Sequence, residues 1–252
     1  MKAQGRAVLV TGASRGIGRA CAEAFASNGD RVAVHHRDSG VLAATVVASL
    51  PGEGHTSVQA ELGDAEAVSR MVGRAAEALG GLDVLVNNAA LYVPHPVAEV
   101  GYDEWQAAWR RTIDVNLIGT SNVTYLVARR MIAAGHGGRI VNVSSRGAFR
   151  GEPDHPAYGA SKAGLNAFGQ SMAQALAPFG IAVATVAPGY VETDMAKEYL
   201  DAHGDAIRAQ SPFGRVARPE EVAAAVLYLA SPAAEFATGA VLDLNGASYL
   251  RT

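Results

Sequence analysis

The chain of 252 residues is 49% hydrophobic and 18% charged, which suffices for a large α/β core and excludes an intrinsically disordered chain. Its net charge of -3 offers no basic excess for phosphate contacts, which argues against a nucleic-acid partner. The single cysteine, Cys21, cannot form an intramolecular disulfide, and no apolar stretch approaches the ~20 residues that cross a bilayer. We therefore expect a soluble, cytoplasmic protein with no membrane partner.

Short apolar runs rich in β-branched residues alternate with longer stretches of helical spacing. Strands are predicted at Ala7–Val10, Val32–His35, Val58–Ala60, Val84–Val86, Ile140–Val143, Ile181–Val186 and Val241–Leu244. Helices are predicted at Gly18–Ser27, Ala65–Leu79, Asp103–Ala134, Ala157–Pro178 and Glu220–Leu229. Such runs are typical of strands buried on both faces of a parallel sheet. The pattern predicts one domain over residues 1–252, a three-layer αβα doubly wound parallel sheet (Rossmann fold) of about seven strands.

A glycine-rich turn, TGASRGIG at residues 11–18, follows the first predicted strand and leads into an Ala-rich helix. Glycines let the backbone turn sharply and approach a pyrophosphate, and the helix N-terminus offers free N–H groups. Glycine also ends strands that bind no ligand, and this spacing differs from the usual G-x-G-x-x-G. The position between a strand and a helix nevertheless predicts a phosphate site for a dinucleotide.

The end of the second predicted strand bears on the form of that dinucleotide. NAD-selective sites place a carboxylate here for the ribose hydroxyls, whereas a 2′-phosphate calls for arginine. His36 occupies the acidic position, Arg37 follows it, and Arg15 lies in the glycine turn. Two guanidinium groups favour NADP(H). Alternatively, Arg37 is a solvated charge and Asp38 supplies the acidic contact, which makes NAD(H) possible.

Ser145 ends the fifth predicted strand, at the carboxyl edge where open α/β sheets bind ligands. Neighbouring strand residues point to opposite faces, so only one of Ser144 and Ser145 faces a ligand. We choose Ser145, whose hydroxyl would stabilise charge on a substrate oxygen. A serine hydrolase is disfavoured because no G-x-S-x-G surrounds this serine.

Tyr158 and Lys162 lie four positions apart, so on a helix they share a face. An isolated phenol titrates near ~10 and is a poor acid–base catalyst at neutral pH. We expect the ammonium, with the charge of an oxidised nicotinamide, to lower the pKa of the phenol. Such a pair is often only an exposed helix pair, but Lys2, Lys162 and Lys197 are the only lysines among 21 basic residues. Tyr158 is therefore the candidate acid–base group.

The histidines carry no metal-site signature. His35 and His36 are adjacent on a strand end and diverge, and the other five are scattered without ligand spacing. We expect no metal, and we expect each histidine to be a surface or loop residue.

The motifs together resemble the single-domain branch of the short-chain dehydrogenase/reductase family, including its 3-oxoacyl-[acyl-carrier-protein] reductases and glucose and alcohol dehydrogenases. The matching positions are the turn at 11–18, Asn87-Asn88-Ala89-Ala90 after the fourth strand, Asn116, Ser145 thirteen residues before Tyr158, Lys162, Pro188-Gly189 and Asn245-Gly246. Ala90 departs from the family glycine. The resemblance spans nearly the whole chain.

This resemblance implies hydride transfer between NADP(H), possibly NAD(H), and a small carbonyl or secondary-alcohol substrate. It implies that Lys162 holds the nicotinamide ribose, that Asn116 holds a water relaying protons to Lys162, and that the chain forms a homotetramer. The implied catalytic residues are Ser145, Tyr158, Lys162 and Asn116. The implied cofactor contacts are Gly12, Ser14, Arg15, Gly16, Ile17, Gly18, His36, Arg37, Glu61, Leu62, Asn88, Ala89, Tyr158, Lys162, Pro188, Gly189, Val191 and Thr193.

Two alternative functions stay open. The phrase APGYVETDM (residues 187–195) resembles the 3-oxoacyl-[acyl-carrier-protein] reductases, but Gln174 and Phe179 stand where those reductases commonly carry basic residues. A dinucleotide-binding sensor or scaffold without catalysis is the alternative of another class.

Substrate contacts are predicted from three loops, at residues 91–96, 146–157 and 190–212. Phe149, Tyr92 and Tyr190 suit an apolar substrate body. Arg146, Arg150 and His155 suit a polar or anionic one.

Overall fold

The structure, a computed structural model, describes residues 5–251, apart from the side chain of Glu198. Within that range seven strands form one parallel sheet in the order β3-β2-β1-β4-β5-β6-β7. The strands are β1 (Ala7–Val10), β2 (Arg31–His36), β3 (Thr56–Gln59), β4 (Val84–Asn87), β5 (Gly138–Val143), β6 (Ile181–Pro188) and β7 (Val241–Leu244). The strand order reverses between β1 and β4, the point at which open α/β sheets bind ligands.

Helices connect the strands. They are α1 (Gly16–Ser27), α2 (Gly40–Ser49), α3 (Ala65–Leu79), α4 (Tyr102–Ile113), α5 (Thr120–Ala134), α6 (Gly147–Arg150), α7 (Pro156–Leu176), α8 (Asp194–Arg208) and α9 (Pro219–Leu229). A π-helical segment, Asp114–Gly119, joins α4 to α5, and short 3-10 turns occupy Ala177–Phe179 and Pro232–Ala237. None of the helices described is long and apolar enough to cross a membrane.

The alternation of β1 divides the core between the two faces of the sheet. Val8 and Val10 pack with Phe25 and Val226 on one face, and Leu9 packs on the other. Successive strand side chains point to opposite faces, and all four residues of β1 are fully buried, as a strand covered by helices on both sides requires. The predicted three-layer doubly wound fold is confirmed.

The register brings the strand ends to one edge. Val10 of β1 pairs with Val34 of β2 and with Val86 of β4, and Val143 of β5 pairs with Val186 of β6. Residues that follow these pairs therefore meet at the same edge of the sheet, although they are far apart in the chain.

Sequence reasoning missed three helices: α2, the four-residue α6 and α8. α8 lies in the stretch predicted as a loop, although Ala196, Tyr199, Leu200 and Ile207 follow helical spacing. α2 lacks a clear stripe because its residues are apolar on several sides, and Val41 stays 83% exposed. Periodicity detects a helix only where one face differs from the other.

Candidate active site

A cleft of about 310 Å³ opens at the carboxyl edge of the sheet. It is lined by every predicted cofactor residue except Gly18, and by Ser145, Tyr158 and Lys162. Gly18 and Asn116 lie outside its lining. The tertiary structure thus brings together residues from 12 to 199 around one elongated cavity, with the glycine turn at its nucleotide end and Tyr158 at its substrate end.

The glycine turn has the backbone form that a phosphate cradle needs. Gly12 and Gly16 have φ values of +63° and +55°, which side chains rarely adopt. A Cβ at Gly12 would lie 2.9 Å from the Cα of Ala89. No side chain caps the N-terminus of α1, so its N–H groups are left for a ligand. These features fit the phosphates of a dinucleotide.

Asn88 ties the turn to the end of β4. Its Nδ2 donates to the carbonyls of Thr11 and Gly12, each at 3.0 Å. A Cβ at Gly18 would lie 2.5 Å from that Nδ2. Gly18 therefore permits close packing of α1 against this anchor rather than lining the cleft.

His35, which sequence reasoning did not select, holds the same turn from β2. Its Nδ1 accepts the N–H of Gly12 at 3.0 Å, and its Nε2 pairs with the carbonyl of Ala60 at 3.1 Å. These partners assign the proton to Nε2, and burial lowers the pKa of His35 to about 4. The expectation that every histidine is a surface or loop residue is wrong for His35, which is a buried strand residue. His95 and His155 are loop residues as expected, although both are buried.

The end of β2 presents paired charges. Nη2 of Arg37 lies 2.7 Å from a carboxylate oxygen of Asp38, and its Nε lies 3.9 Å from Glu61. The guanidinium holds the pKa of Asp38 below its usual range. Arg15 is exposed across the cleft. An exposed pair such as Arg37 with Asp38 is readily exchanged for a stronger partner, so both predicted cofactor forms remain compatible with these residues.

Ser145, Tyr158 and Lys162 meet at the substrate end. Ser145 Oγ accepts the N–H of Gly147 at 3.0 Å, and Ser145 lines the cleft together with Tyr158. Lys162 Nζ donates to the carbonyl of Val143 at 2.7 Å. The hydroxyl of Ser144 instead donates to the carbonyl of Lys162 at 3.2 Å. The geometry therefore favours Ser145 over Ser144 as the serine for a substrate oxygen.

The pKa values of the pair differ from the sequence expectation. Burial raises the pKa of Tyr158 to about 12, against the opposing hydrogen bond with Ser145. Burial also lowers the pKa of Lys162 to about 8, and its Nζ lies 5.6 Å from the centre of the phenol ring. The expectation that Lys162 lowers the pKa of the phenol is wrong for the protein without its cofactor. Desolvation is the largest influence on the pKa of both side chains.

Asn116 lies in the π-helical segment, with its side chain engaged by protein groups. Oδ1 accepts the N–H of Leu91 at 2.7 Å, and Nδ2 donates to the Leu91 carbonyl at 3.0 Å and to Ser161 Oγ at 3.1 Å. Asn116 thus satisfies the backbone of the loop after β4 and contacts α7 through Ser161. Its water relay to Lys162 stays a prediction.

Aromatic side chains surround Tyr158. The ring of Tyr92 packs edge to face against the ring of Tyr158, with 4.8 Å between the ring centroids. Tyr92 also stacks on the imidazole of His155, with 3.6 Å between the centroids. Tyr190 stacks with Tyr199 at 6.0 Å. Tyr199 was missed together with α8, although helical spacing would have placed it.

Two predicted substrate contacts have other roles. Arg146 is buried, and its Nη1 and Nη2 donate to Ser248 at 2.6 Å and Gln210 at 2.8 Å. Phe149 lies under the guanidinium of Arg251 at 4.3 Å and does not line the cleft. Arg146 lines the cleft, but its charged head holds the segments after α8 and β7.

Comparison with known proteins decides the family. A family model described as "Enoyl-(Acyl carrier protein) reductase" matches residues 12–246. The chain is 36% identical over 250 residues to a 3-oxoacyl-[acyl-carrier-protein] reductase FabG of Vibrio harveyi, covering 99% of this chain and 100% of the relative. The chain belongs to the short-chain dehydrogenase/reductase family. It is also 39% identical to a cis-4-hydroxycyclohexanecarboxylate dehydrogenase of Sinomonas cyclohexanicum, over 96% of this chain and 95% of the relative.

A solved structure agrees with that assignment. A short chain dehydrogenase from Burkholderia cenocepacia J2315, in complex with NADP, superposes with a TM-score of 0.88 at 36% identity, covering 97% of this chain and 98% of that chain. The predicted family and enzyme class are confirmed: the chain is an NAD(P)-dependent oxidoreductase. Among residues 5–251, no cluster of histidine, cysteine and carboxylate side chains is suited to hold a metal.

Proposed function

We propose that this oxidoreductase interconverts a ketone and a secondary alcohol with NADP(H), and that Tyr158 is the general acid/base. The observation that carries the proposal is the meeting of Ser145, Tyr158 and Lys162 in the cleft that begins at the glycine turn. Acid–base groups need to reach the reacting oxygen, and this end of the cleft is the part lined by a serine hydroxyl and a phenol side by side.

Four side chains have different roles in the proposed reaction. Ser145 holds the substrate oxygen by a hydrogen bond and stabilises the charge that develops there. Tyr158 donates a proton to that oxygen during reduction and removes it during oxidation. Lys162 orients the nicotinamide ribose, and Asn116 holds the water that returns protons. The bound nicotinamide supplies or accepts the hydride.

NADP(H) is favoured over NAD(H) by Arg15 and Arg37. Guanidinium groups match the geometry of a phosphate by paired hydrogen bonds. The similar Burkholderia structure is itself a complex with NADP. NAD(H) also binds in this proposal, because the carboxylate of Asp38 can accept hydrogen bonds from the ribose hydroxyls. The other cofactor contacts are those predicted from the sequence, with Gly18 supporting the turn.

We further propose that residues 1–252 form one domain of a cytoplasmic homotetramer. A single continuous sheet supports one domain. Burial raises the pKa of the lone Cys21 to about 12, so that side chain serves packing rather than redox chemistry. Light scattering coupled to size-exclusion chromatography measures the subunit number.

The deciding experiment has two steps. The thermal shift of the purified protein is compared with NADPH and NADH, because preferential binding raises stability with ligand concentration over Kd. A panel of carbonyls and secondary alcohols is then assayed with the preferred cofactor. Turnover with a larger NADPH shift supports the proposal. Cofactor binding without any turnover would instead identify a sensor or scaffold.

The 3-oxoacyl-[acyl-carrier-protein] reductase alternative is favoured by the Vibrio relative. Gln174 and Phe179 are both exposed and bring no positive charge to the surface where an acidic carrier protein would dock. A 3-oxoacyl thioester in the panel tests this alternative, which requires turnover of the thioester above all other compounds.

A further inference from the structure

Glu152 places a carboxylate in the wall of the substrate end. It lies in the loop between α6 and α7, half-buried, and lines the cleft together with Tyr158 and Tyr92. A Cβ at Gly147 would overlap its Oε1. The missing side chain at Gly147 therefore makes the space that this carboxylate occupies, and the site is built for it.

Glu152 lies near enough to Arg146 and Arg150 for their charges to lower its pKa, but within the described residues it pairs with no cation. It forms none of the ion pairs there. The charged head of Arg146 is engaged by Ser248 and Gln210. Arg150 is exposed and does not line the cleft. The substrate end thus offers a carboxylate acceptor that forms no ion pair with the arginines near it, and the donors of Arg146 are directed to Ser248 and Gln210.

The surroundings of Glu152 favour a substrate that donates a hydrogen bond to its carboxylate oxygens. Burial raises its pKa, while Arg150, Arg146 and a hydrogen bond from Tyr92 lower it. A half-buried carboxylate with few donors gains from a hydroxyl that it can bind. An anionic substrate group at the same place would be repelled and poorly solvated.

The aromatic residues suit the rest of such a substrate. Tyr92 and Tyr190 line the cleft with Tyr199, and each presents a ring together with a hydroxyl group. Rings pack against C–H groups, and phenols exchange hydrogen bonds. This mixture fits a ring that carries hydroxyl groups better than a plain hydrocarbon chain.

We infer that Glu152 is a specificity-determining residue that accepts a hydrogen bond from a substrate hydroxyl other than the one that reacts. The substrate class is a neutral polyhydroxylated compound, such as a sugar or a cyclic polyol. This inference rests on the proposed function, since it places the second hydroxyl beside Tyr158.

The test compares four compounds with NADP⁺: cyclohexanol, trans-1,2-cyclohexanediol, a neutral aldose, and 4-hydroxycyclohexanecarboxylate. For the native chain, kcat/KM for the diol or the aldose exceeds that for cyclohexanol and for the carboxylate by about 10-fold. Glu152→Gln lowers kcat/KM for the preferred polyol by about 10-fold and leaves cyclohexanol within about 3-fold. Glu152→Asp, which keeps the charge but retracts it, gives an intermediate loss.

Asp154→Asn is the matched control, because Asp154 is an exposed carboxylate of the same loop outside the cleft lining. It leaves the ranking of the four compounds unchanged, and an unchanged NADPH thermal shift verifies that each variant folds. A native preference for the carboxylate, or an equal loss on all compounds in Glu152→Gln, overturns the inference while the proposed function stands. Turnover of none of a broad carbonyl and alcohol panel overturns the proposed function, and the inference with it.

Discussion

The two ends of the cleft differ in the groups that form them, since one presents mainly backbone and the other mainly side chains. At the nucleotide end, backbone groups of Gly12 and Thr11 are held by His35 and Asn88, which belong to β2 and follow β4. At the substrate end, Tyr92 and Glu152 project from loops and Tyr199 from α8. The first end inherits its geometry from sheet register, and the second depends on contacts between side chains.

The two ends of the cleft differ in how freely their residues can be substituted. A backbone cradle accepts few substitutions, since a Cβ at Gly12 or Gly18 would meet neighbouring backbone. Loop side chains can change without disturbing the sheet. The nucleotide end therefore suits the part of the reaction that family members share, and the substrate end suits the part in which they differ.

The largest expected effect separates chemistry from binding. Tyr158→Phe removes the proton donor and lowers kcat by about 100- to 10 000-fold. The NADPH thermal shift stays within error of the native protein, since the phenol hydroxyl belongs to the substrate end. Steady-state rates and the thermal shift measure both. Full activity in this variant would mean that another group is the acid.

The next effect concerns stability against pH at the nucleotide end. The folded-state pKa of His35 is lowered to about 4 from 6.5, so the unfolded chain binds the proton more readily. The neutral ring of His35 therefore makes its full contribution to the free energy of unfolding above about pH 6.5. That contribution is lost as the pH falls, and the free energy of unfolding is lower by about 3 kcal/mol at pH 4. Denaturant unfolding from pH 7.5 to 4 measures the loss.

His35→Asn is the comparison protein for that titration. It starts less stable at pH 7.5, binds NADPH more weakly, and shows a flatter fall of unfolding free energy with decreasing pH. His155, whose pKa burial also lowers to about 4, titrates in the same window, so some dependence persists. Identical slopes in the two proteins would contradict a neutral, buried His35.

Gly12→Ala tests whether the cradle is rigid. A left-handed alanine costs about 1–2 kcal/mol, and its Cβ also crowds Ala89, so we expect the Kd for NADPH to rise about 10-fold. Gly135→Ala is the matched control, because Gly135 has a φ of +73° with open space around it. That control loses similar stability and keeps the native Kd. Equal Kd values in both variants would show that crowding in the turn is tolerated.

The last comparison concerns cofactor preference, where we expect a change in binding with no loss of stability. Arg37→Ala raises the Kd for NADPH by about 10-fold and leaves the Kd for NADH unchanged. Asp38→Asn weakens NADH and spares NADPH. Arg19→Ala, which removes an exposed arginine of α1 paired with Glu23, is the control and changes neither. Parallel losses for both cofactors in Arg37→Ala would assign Arg37 a general structural role.

Sequence reasoning selected the glycine turn and the trio Ser145, Tyr158 and Lys162, which line one cleft, because most of their signals are local. Tyr158 and Lys162 share one helix, and residues 11–18 are contiguous. It missed His35, since nothing in its neighbours indicates that its ring reaches both Gly12 and Ala60. It noted the loop holding Glu152 without selecting that residue, because the space above Gly147 exists only after the loop folds back.

Apolar periodicity, glycine spacing and one helical turn are properties of short segments, so the residues alone predict the parallel αβα architecture, the glycine turn and the Tyr158–Lys162 pair. Tertiary packing decides instead that Ser248 and Gln210 hold Arg146 and that burial rather than Lys162 dominates the pKa of Tyr158. It also places Glu152 in the lining of the cleft with no ion pair among residues 5–251. Burial and pairing depend on residues distant in the chain, and those become neighbours only when the sheet and its helices pack.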